Sequence, residues 1–160
     1  NLLFHKALDM AQPGDVIVLA NKGSLSRSLC GEIMSNYAKS RGLAGIIIDG
    51  CVRDSAALRE LDFPVYAKGV TPNGPYKNGP GEMNFPVSFA GIIINPGDII
   101  VGDADGLLVI RPEDAEELAK KAKAWHDSEE KQLEGILTKG EWVRPWVDDK
   151  LKEVGFEFVD

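Results

Sequence analysis

A short isoleucine run followed by charged residues constrains the fold of this chain more than any other feature. Residues 46–48 are all isoleucine, and such an unbroken apolar run is typical of a strand buried on both faces of a sheet. The run ends at Asp49 and is soon followed by Arg53 and Asp54. Because α/β proteins build their sites where buried strands end, the sequence predicts an α/β fold with a site beside these two residues.

Composition excludes several classes of function. The 160 residues are enough for one domain with its own core, and the net charge of -7 argues against a nucleic-acid partner. No run approaches the roughly 18 apolar residues that cross a bilayer, so no membrane partner is expected. Cys30 and Cys51 form no CxxC pair, and we interpret them as reduced thiols of a cytoplasmic protein. The chain opens on Asn1 rather than Met, so a truncated N-terminus is one expectation.

Strand and helix patterns alternate in the first half of the chain, and strands follow in quick succession afterwards. These patterns predict one compact domain over residues 1–160, with no linker and with a β-rich core flanked by helices. The predicted helices cover residues 1–10, 24–40, 54–61 and 112–135, and the predicted strands cover residues 16–20, a segment from Ile46, 64–69, 87–94, 99–101 and 107–110.

Three further segments have no regular pattern or an unusual composition. Residues 71–84 are dense in proline, glycine and asparagine, which predicts an ordered loop near the site. Pro-Gly-Asp occurs at 13–15 and again at 96–98, each time before an apolar strand, which indicates a weak repeat of turn and strand. We expect residues 112–160, a C-terminal helix and tail, to pack on the body or on a neighbouring subunit; the aromatic residues of the tail are Trp142, Trp146, Phe156 and Phe158.

The Arg53-Asp54 pair has two interpretations. In the simpler one, Arg53 ends a strand and Asp54 caps the helix that follows, which stabilises a helix by roughly 1 kcal/mol. In the other, Asp54 is a ligand for Mg²⁺, which prefers one or two carboxylates with several waters. Arg53 would then bind a carboxylate through its planar guanidinium.

Glu32 is the next candidate, since 20 residues separate it from Arg53. It follows Gly31 at the start of a helical turn, where the backbone N–H groups of Ile33 and Met34 are placed to receive a carboxylate. The alternative is that Glu32 is an ordinary surface residue of a helix.

The chain contains Gly31-Glu32, a spacer of 20 residues and then Arg53-Asp54. This pattern resembles the signature of the RraA-like family. This family includes the 4-hydroxy-4-methyl-2-oxoglutarate (HMG) and 4-carboxy-4-hydroxy-2-oxoadipate (CHA) aldolases. The resemblance covers roughly residues 7–140 and implies a compact α/β fold of the swivelling β/β/α type, assembled as trimers or hexamers with sites between subunits. Further matching segments are Arg41-Gly-Leu-Ala-Gly45, Asp49-Gly-Cys-Val-Arg-Asp54, Pro64-Val65, Asn95-Pro-Gly-Asp98 and Gly102-Asp-Ala-Asp-Gly106.

The resemblance also implies an activity. Its aldolase members are lyases of the class II type, which use a divalent metal such as Mg²⁺ or Mn²⁺ to cleave a C–C bond in a 2-oxo acid through a metal-stabilised pyruvate enolate. They commonly have oxaloacetate decarboxylase activity as well. Another branch of the family binds an endoribonuclease and inhibits it without catalysis, and that branch typically lacks the acid after the arginine. The presence of Asp54 favours the enzyme over this protein-binding regulator.

Residue roles follow from the resemblance position by position. Asp54 would bind the metal directly, and Glu32 would hold metal-bound waters. Arg53 would bind the pyruvyl group, beside Gly31 and the amides of Ile33 and Met34.

A neighbouring subunit would add one carboxylate from its C-terminal helix. Glu130 is the candidate for it, and Glu129 is the alternative because the register of that helix is open.

Other motifs favour ordinary structure. Residues 102–106 resemble half of a calcium loop but lack its bidentate glutamate, so we interpret them as a β-turn. His5 and His126 have no partner at zinc-ligand spacing, and His126 is expected on a helix surface or interface. Lys22 and Lys68 are placed in predicted site loops, where we expect them to be solvated or to steer substrate. No Gly-x-Ser-x-Gly or dinucleotide-binding motif occurs.

Overall fold

The computed structural model describes residues 1–79 and 81–156, which fall into two units, Asn1–Pro112 and Glu113–Asp160. The helices are α1 (Leu2–Met10), α2 (Glu32–Ser40), α3 (Ser55–Glu60), α4 (Ala115–Lys139) and α5 (Pro145–Glu153), and a 3-10 turn covers Pro112–Asp114. The strands are β1 (Val16–Cys30), β2 (Gly45–Val52), β3 (Val65–Val70), β4 (Val87–Phe89), β5 (Ile92–Ile94), β6 (Ile99–Gly102) and β7 (Leu107–Ile110).

Strand β2 is the centre of the first unit. It lies between β1 and β3 in a parallel sheet, and every one of its residues is buried. Ile46 and Ile48 are fully buried in a core to which α1 contributes Phe4 and Leu8, and α2 contributes Ala38. The α/β fold predicted from the isoleucine run is therefore confirmed.

The predicted helix over residues 24–40 is wrong in its first half. Strand β1 continues to Cys30, and only residues after Gly31 are helical. A bulge at Lys22 and Gly23, with φ of 51° and 67°, shifts the register and lets the strand continue along β2. Serine is a weak helix former, and Ser28 and Cys30 bury alternate side chains against the sheet. Pairing with β2 therefore overrides the apparent helical spacing.

The predicted strand over residues 87–94 is two strands. Ala90 and Gly91 have φ of 49° and 85°, and they form a tight turn that joins β4 to β5 as an antiparallel hairpin. Two consecutive positive φ values are typical of the type I′ turn that suits hairpins. Strands β6 and β7 form a second hairpin, in which the Asp103 side chain accepts the N–H groups of Asp105 and Gly106. The β-turn interpretation of residues 102–106 is confirmed.

The two Pro-Gly-Asp segments form the same turn. In the first, Asp15 Oδ2 accepts the Gln12 N–H at 2.8 Å, and in the second, Asp98 Oδ2 accepts the Asn95 N–H at 2.7 Å. The glycine has φ of 90° in the first turn and 91° in the second, which a residue with a Cβ rarely adopts. Each turn leads into a strand, so the predicted repeat of turn and strand holds at both places.

The second unit contains helices α4 and α5. Helix α4 begins with acidic residues and carries successive Glu–Lys pairs one turn apart, and none of its residues is buried. It ends at Gly140, whose φ of 69° is typical of a helix C-terminus. Phe158 lies outside the described residues, and packing of residues 112–160 on the body or on another subunit stays a prediction. No described helix combines the length and the apolar character needed to cross a membrane.

The buried β2 strand leads to a stability prediction. Replacing Ile48 with Ala removes three carbons from a fully buried site, so we expect the free energy of unfolding to fall by about 2–5 kcal/mol. Val70→Ala in the same sheet is the matched control, because Val70 is 59% exposed and should lose under about 1 kcal/mol. Urea unfolding of both variants measures the difference, and equal losses would contradict the assignment of β2 as the core strand.

Candidate functional site

The two motif dipeptides lie side by side because they follow paired strand ends. Cys30 at the end of β1 pairs with Val52 at the end of β2, and Arg53 N–H donates to the Cys30 carbonyl at 2.9 Å. Gly31 follows the first strand directly, as Arg53 follows the second. The 20-residue spacer contains most of α2 and all of β2, which is the length needed to return to the same edge of the sheet.

The Asp54 carboxylate faces helix α2 rather than its own helix. Asp54 is at the N-cap position of α3, but its side chain makes no capping hydrogen bond there. Its Oδ2 atom instead accepts the Glu32 N–H at 3.1 Å and lies 3.6 Å from Arg53 Nε. The simpler interpretation, in which Asp54 caps the helix that follows it, is therefore wrong for the side chain.

A strained backbone directs this carboxylate. Asp54 has φ of 56° and ψ of 37°, the left-handed region, which costs a residue with a Cβ about 1 kcal/mol. Aspartate tolerates this region better than most residues do, but the conformation persists only where the surroundings fix it. Here the parallel strand pairing fixes the residues before it, and α3 fixes the residues after it.

Gly31 leaves the space that the two charged side chains occupy. A Cβ at this position would lie 2.5 Å from Asp54 Oδ2 and 2.8 Å from Arg53 Cγ, which is closer than real contacts allow. The φ of Gly31 is −154°, an extended value open to any residue, so close approach and not backbone conformation explains the glycine.

The N-terminus of α2 presents free backbone amides beside Asp54. The first helical hydrogen bond runs from Ser35 N–H to the Gly31 carbonyl at 3.1 Å, so the three preceding N–H groups have no helical acceptor. Asp54 accepts the N–H of Glu32. The N–H groups of Ile33 and Met34 remain at the positive end of the helix dipole. A carboxylate placed there would be stabilised.

The candidate glutamates differ in their surroundings. Glu32 is exposed, and its carboxylate makes no hydrogen bond or ion pair within the described part of the chain. Glu130 lies on α4 in the second unit, 3.6 Å from His126 Nε2, and Glu129 accepts the indole N–H of Trp125. The structure thus brings Glu32 to the same strand ends as Asp54, and the role of Glu130 stays a prediction.

Asp54 and Glu32 are the residues that could hold a divalent metal. Oδ2 of Asp54 takes both contacts described above, and Oδ1 accepts no hydrogen bond from residues 1–79 and 81–156. No group of three or more His, Cys, Asp or Glu side chains suited to a metal occurs in those residues. Mg²⁺ is commonly held by one or two carboxylates and several waters, so two carboxylates from this chain fit such an ion.

The loop predicted over residues 71–84 begins against strand β1. The Asn73 carbonyl accepts both the N–H and the hydroxyl of Ser28, each at 2.9 Å. Arg27 donates to the Gly74 carbonyl at 3.0 Å and to the Tyr76 hydroxyl at 2.8 Å. These contacts agree with an ordered loop in its described part.

Arg27 is a residue that the sequence pattern missed. The segment around it was predicted as helix, which would have turned Arg27 away from the loop. In the sequence, serines at positions 24, 26 and 28 alternate with Leu25, Arg27 and Leu29, and this two-residue period is the signal that favours a strand.

Asp49 is a carboxylate within β2, and its environment differs from that of Asp54. Asp49 is 4% exposed, forms an ion pair with Lys68 and accepts the Gly23 N–H at 2.8 Å. Lys68 lies in strand β3, so its placement in a loop was wrong. Lys22 also lies in a strand, at the bulge of β1.

Both cysteines are buried thiols. Burial raises the pKa of the Cys30 thiol, and the hydrogen bond with Ser35 offsets this only in part. A buried thiol with a raised pKa stays protonated near neutral pH. Cys51 is also buried, and both cysteines are free, as the sequence predicts.

Known proteins are similar to this chain in sequence and in fold. Residues 1–109 match the RraA-like family, described as Aldolase/RraA. A relative from Halalkalibacterium halodurans, named "Putative 4-hydroxy-4-methyl-2-oxoglutarate aldolase", is 38% identical over 92% of this chain and 70% of its own length.

Two solved structures are similar as well. The RNA-processing inhibitor RraA from Thermus thermophilis has a TM-score of 0.64 at 34% identity, covering 69% of this chain and 68% of that one. An S-adenosylmethionine:2-dimethylmenaquinone methyltransferase from Geobacillus kaustophilus has a TM-score of 0.67 at 39% identity, covering 69% of each chain. The match over residues 1–109, together with these relatives, establishes that the chain belongs to the RraA-like (Aldolase/RraA) family.

Proposed function

We propose that this protein is a divalent-metal-dependent lyase that cleaves a C–C bond in a 2-oxo acid and releases pyruvate, with oxaloacetate decarboxylase activity. The observation that carries the proposal is the Asp54 carboxylate. It is directed by a strained backbone toward the N-terminus of α2, beside Arg53, and its Oδ1 accepts no hydrogen bond from the described residues. Similarity to a relative named as an HMG aldolase supports the same activity.

Substrate binding follows from the two kinds of donor at the strand ends. The substrate carboxylate would accept the free N–H groups of Ile33 and Met34, where the helix dipole favours an anion. Arg53 is 45% exposed and would bind the keto oxygen of the same pyruvyl group. The missing Cβ of Gly31 leaves room for the Arg53 and Asp54 side chains beside the start of α2.

The carboxylates would hold the metal. Asp54 is placed to coordinate Mg²⁺ or Mn²⁺ directly, and Glu32 to hold waters on the ion. A bound divalent cation would act as a Lewis acid that stabilises negative charge on the keto oxygen. Glu130 of a neighbouring subunit is the proposed further carboxylate, in a trimer or hexamer with its sites between subunits.

The chain's residues also account for the flow of charge. Breaking the C–C bond leaves an electron pair on the carbon beside the keto group, and this pair delocalises onto the keto oxygen. The other fragment leaves as CO₂ from oxaloacetate. From an aldol it leaves as a carbonyl compound, and the aldol hydroxyl gives its proton to a water positioned by Glu32. Arg53 stabilises that developing negative charge electrostatically. The same carbon then takes a proton from a water positioned by Glu32, which completes pyruvate.

A protein-binding regulator of ribonuclease activity is the second candidate, and similarity to an RNA-processing inhibitor supports it. It predicts a stable complex with a large protein partner and no dependence on metal. The resemblance implies that this branch typically lacks the acid after the arginine, so the presence of Asp54 favours the lyase. Two free cysteines support a cytoplasmic location for either function.

The first test is activity with and without the Asp54 charge. Wild-type protein mixed with oxaloacetate and Mg²⁺ should release pyruvate, and EDTA should abolish turnover. Asp54→Asn keeps a residue that tolerates positive φ and an oxygen for the Glu32 N–H, but it removes the charge. We expect kcat/KM to fall on the order of 100-fold or more, because loss of a ligand exceeds loss of a supporting residue.

The chain offers a matched control for this variant. Asp62 also has a positive φ, of 49°, and it is exposed, so Asp62→Asn makes the same change outside the site. It should leave kcat/KM unchanged. Size-exclusion chromatography should give the same oligomeric state for the wild type, Asp54→Asn and Asp62→Asn. Asp54→Ala should be inactive as well. Metal-dependent turnover that survives in the Asp54 variants would overturn the ligand assignment, and a wild type without turnover would overturn the lyase for this substrate class.

A separate prediction concerns Gly31. Gly31→Ala places a methyl group on Asp54 and Arg53, and any relief of the clash moves one of them. Overpacking of this kind costs about 1–3 kcal/mol of stability, and we expect activity to fall much further than stability. Gly79→Ala is the control, because a Cβ there meets nothing within 4 Å. Urea unfolding and pyruvate release measure the two effects, and an active Gly31→Ala variant would contradict the close approach.

A further inference from the structure

Arg27 fastens the start of the loop after β3 to strand β1. Nη1 of Arg27 donates to the Gly74 carbonyl at 3.0 Å, and Nη2 donates to the Tyr76 hydroxyl at 2.8 Å. The guanidinium also lies 4.3 Å from the centroid of the Tyr76 ring. Two charge-assisted hydrogen bonds and a cation–π contact from one side chain therefore hold the segment from Gly74 to Tyr76.

Gly74 connects this restraint to the candidate site. A Cβ added at Gly74 would lie 3.4 Å from Arg53 Nη1, so the Gly74 backbone passes beside that guanidinium with room for about one methyl group between them. On its other side, Arg53 Nε lies 3.6 Å from Asp54 Oδ2. The Arg53 guanidinium thus lies between a carboxylate and the segment that Arg27 binds.

We propose that Arg27 is a positioning residue for Arg53 and sets the affinity of the site for its anionic substrate without touching it. An arginine loses rotamer freedom when it binds an anion. A segment fixed beside its guanidinium restricts the unbound side chain already, and this reduces the loss. Arg27 makes no ion pair with a carboxylate within the described residues, so its hydrogen bonds serve the segment. The kinetic consequence rests on the proposed lyase function, whereas the restraint on Arg53 does not.

The restraint is measured without any enzymatic assay. Phenylglyoxal modifies accessible guanidinium groups, and peptide mapping gives the rate at Arg53 relative to that at exposed Arg59 in the same protein. Arg27→Met keeps a long side chain but removes the hydrogen-bond donors. The Arg53-to-Arg59 ratio of modification rates should therefore rise roughly threefold or more as the segment from Gly74 to Tyr76 becomes more mobile. Hydrogen exchange at Asn73 and Lys77 should quicken in the same variant.

Two conservative variants separate geometry from charge. Arg27→Lys keeps the positive charge but loses the planar fork, so it should resemble Arg27→Met. Tyr76→Phe keeps the ring under the guanidinium but loses one hydrogen bond, and it should raise the ratio less. If Arg27→Met fails to fold, these two variants carry the test. An Arg53-to-Arg59 ratio equal to that of the wild type in folded Arg27 variants would overturn the proposal.

The kinetic arm uses oxaloacetate with Mg²⁺. In Arg27→Met we expect KM to rise about tenfold, equivalent to about 1.4 kcal/mol of binding, while kcat changes less than about threefold. Arg59→Met removes an exposed arginine elsewhere and should leave both constants unchanged. A loss of stability in Arg27→Met with KM unaltered would reduce Arg27 to a structural residue and overturn the proposal.

The two proposals fail in different ways. A wild type that neither turns over oxaloacetate nor binds pyruvate removes the lyase function, and the modification ratio still decides whether Arg27 restrains Arg53. An active wild type with an unchanged ratio in the Arg27 variants removes only the positioning role.

Discussion

The pairing of Cys30 with Val52 is the constraint on which the candidate site depends. It ends two parallel strands at the same level, and the hydrogen bond from Arg53 N–H to the Cys30 carbonyl extends that pairing by one residue. Helix α2 then begins where β1 stops, so its free amides face the residues that follow β2. A site of this kind needs no long-range adjustment of loops, because the sheet itself sets the separation of its parts.

Close packing at these strand ends also explains why the site tolerates strain. The positive φ of Asp54 costs roughly 1 kcal/mol, and the missing Cβ of Gly31 gives up packing that any other residue would supply. Both features serve one contact, that of the Asp54 carboxylate with the N-terminus of α2. Strain and an empty side-chain position together are easier to explain by a binding role than by stability, since Asp54 forms no cap on its own helix.

The sequence predicted the features that depend on local chemistry. The isoleucine run identified β2, and the charged residues after it identified the edge of the sheet where Arg53 and Asp54 lie. The path of β1 was not predictable in the same way, since its second half is stabilised by pairing with β2 and by a bulge at Lys22. That error concealed Arg27, because a helix would have placed it away from the loop.

Asp49 lies within β2 and Asp54 follows it, and the two aspartates differ in burial and in the contacts of their carboxylates. Asp49 is 4% exposed, and its carboxylate is held by Lys68 and by the Gly23 amide, so a metal would have to replace contacts that keep a buried charge stable. The Asp54 side chain is 43% exposed. Arg53 Nε lies 3.6 Å from its Oδ2 atom, which also accepts the Glu32 N–H. Its second oxygen can therefore bind a hydrated cation without breaking a protein contact. Of the two, Asp54 alone combines a fixed direction with an available oxygen, and this combination argues for the ligand role more strongly than either motif position does.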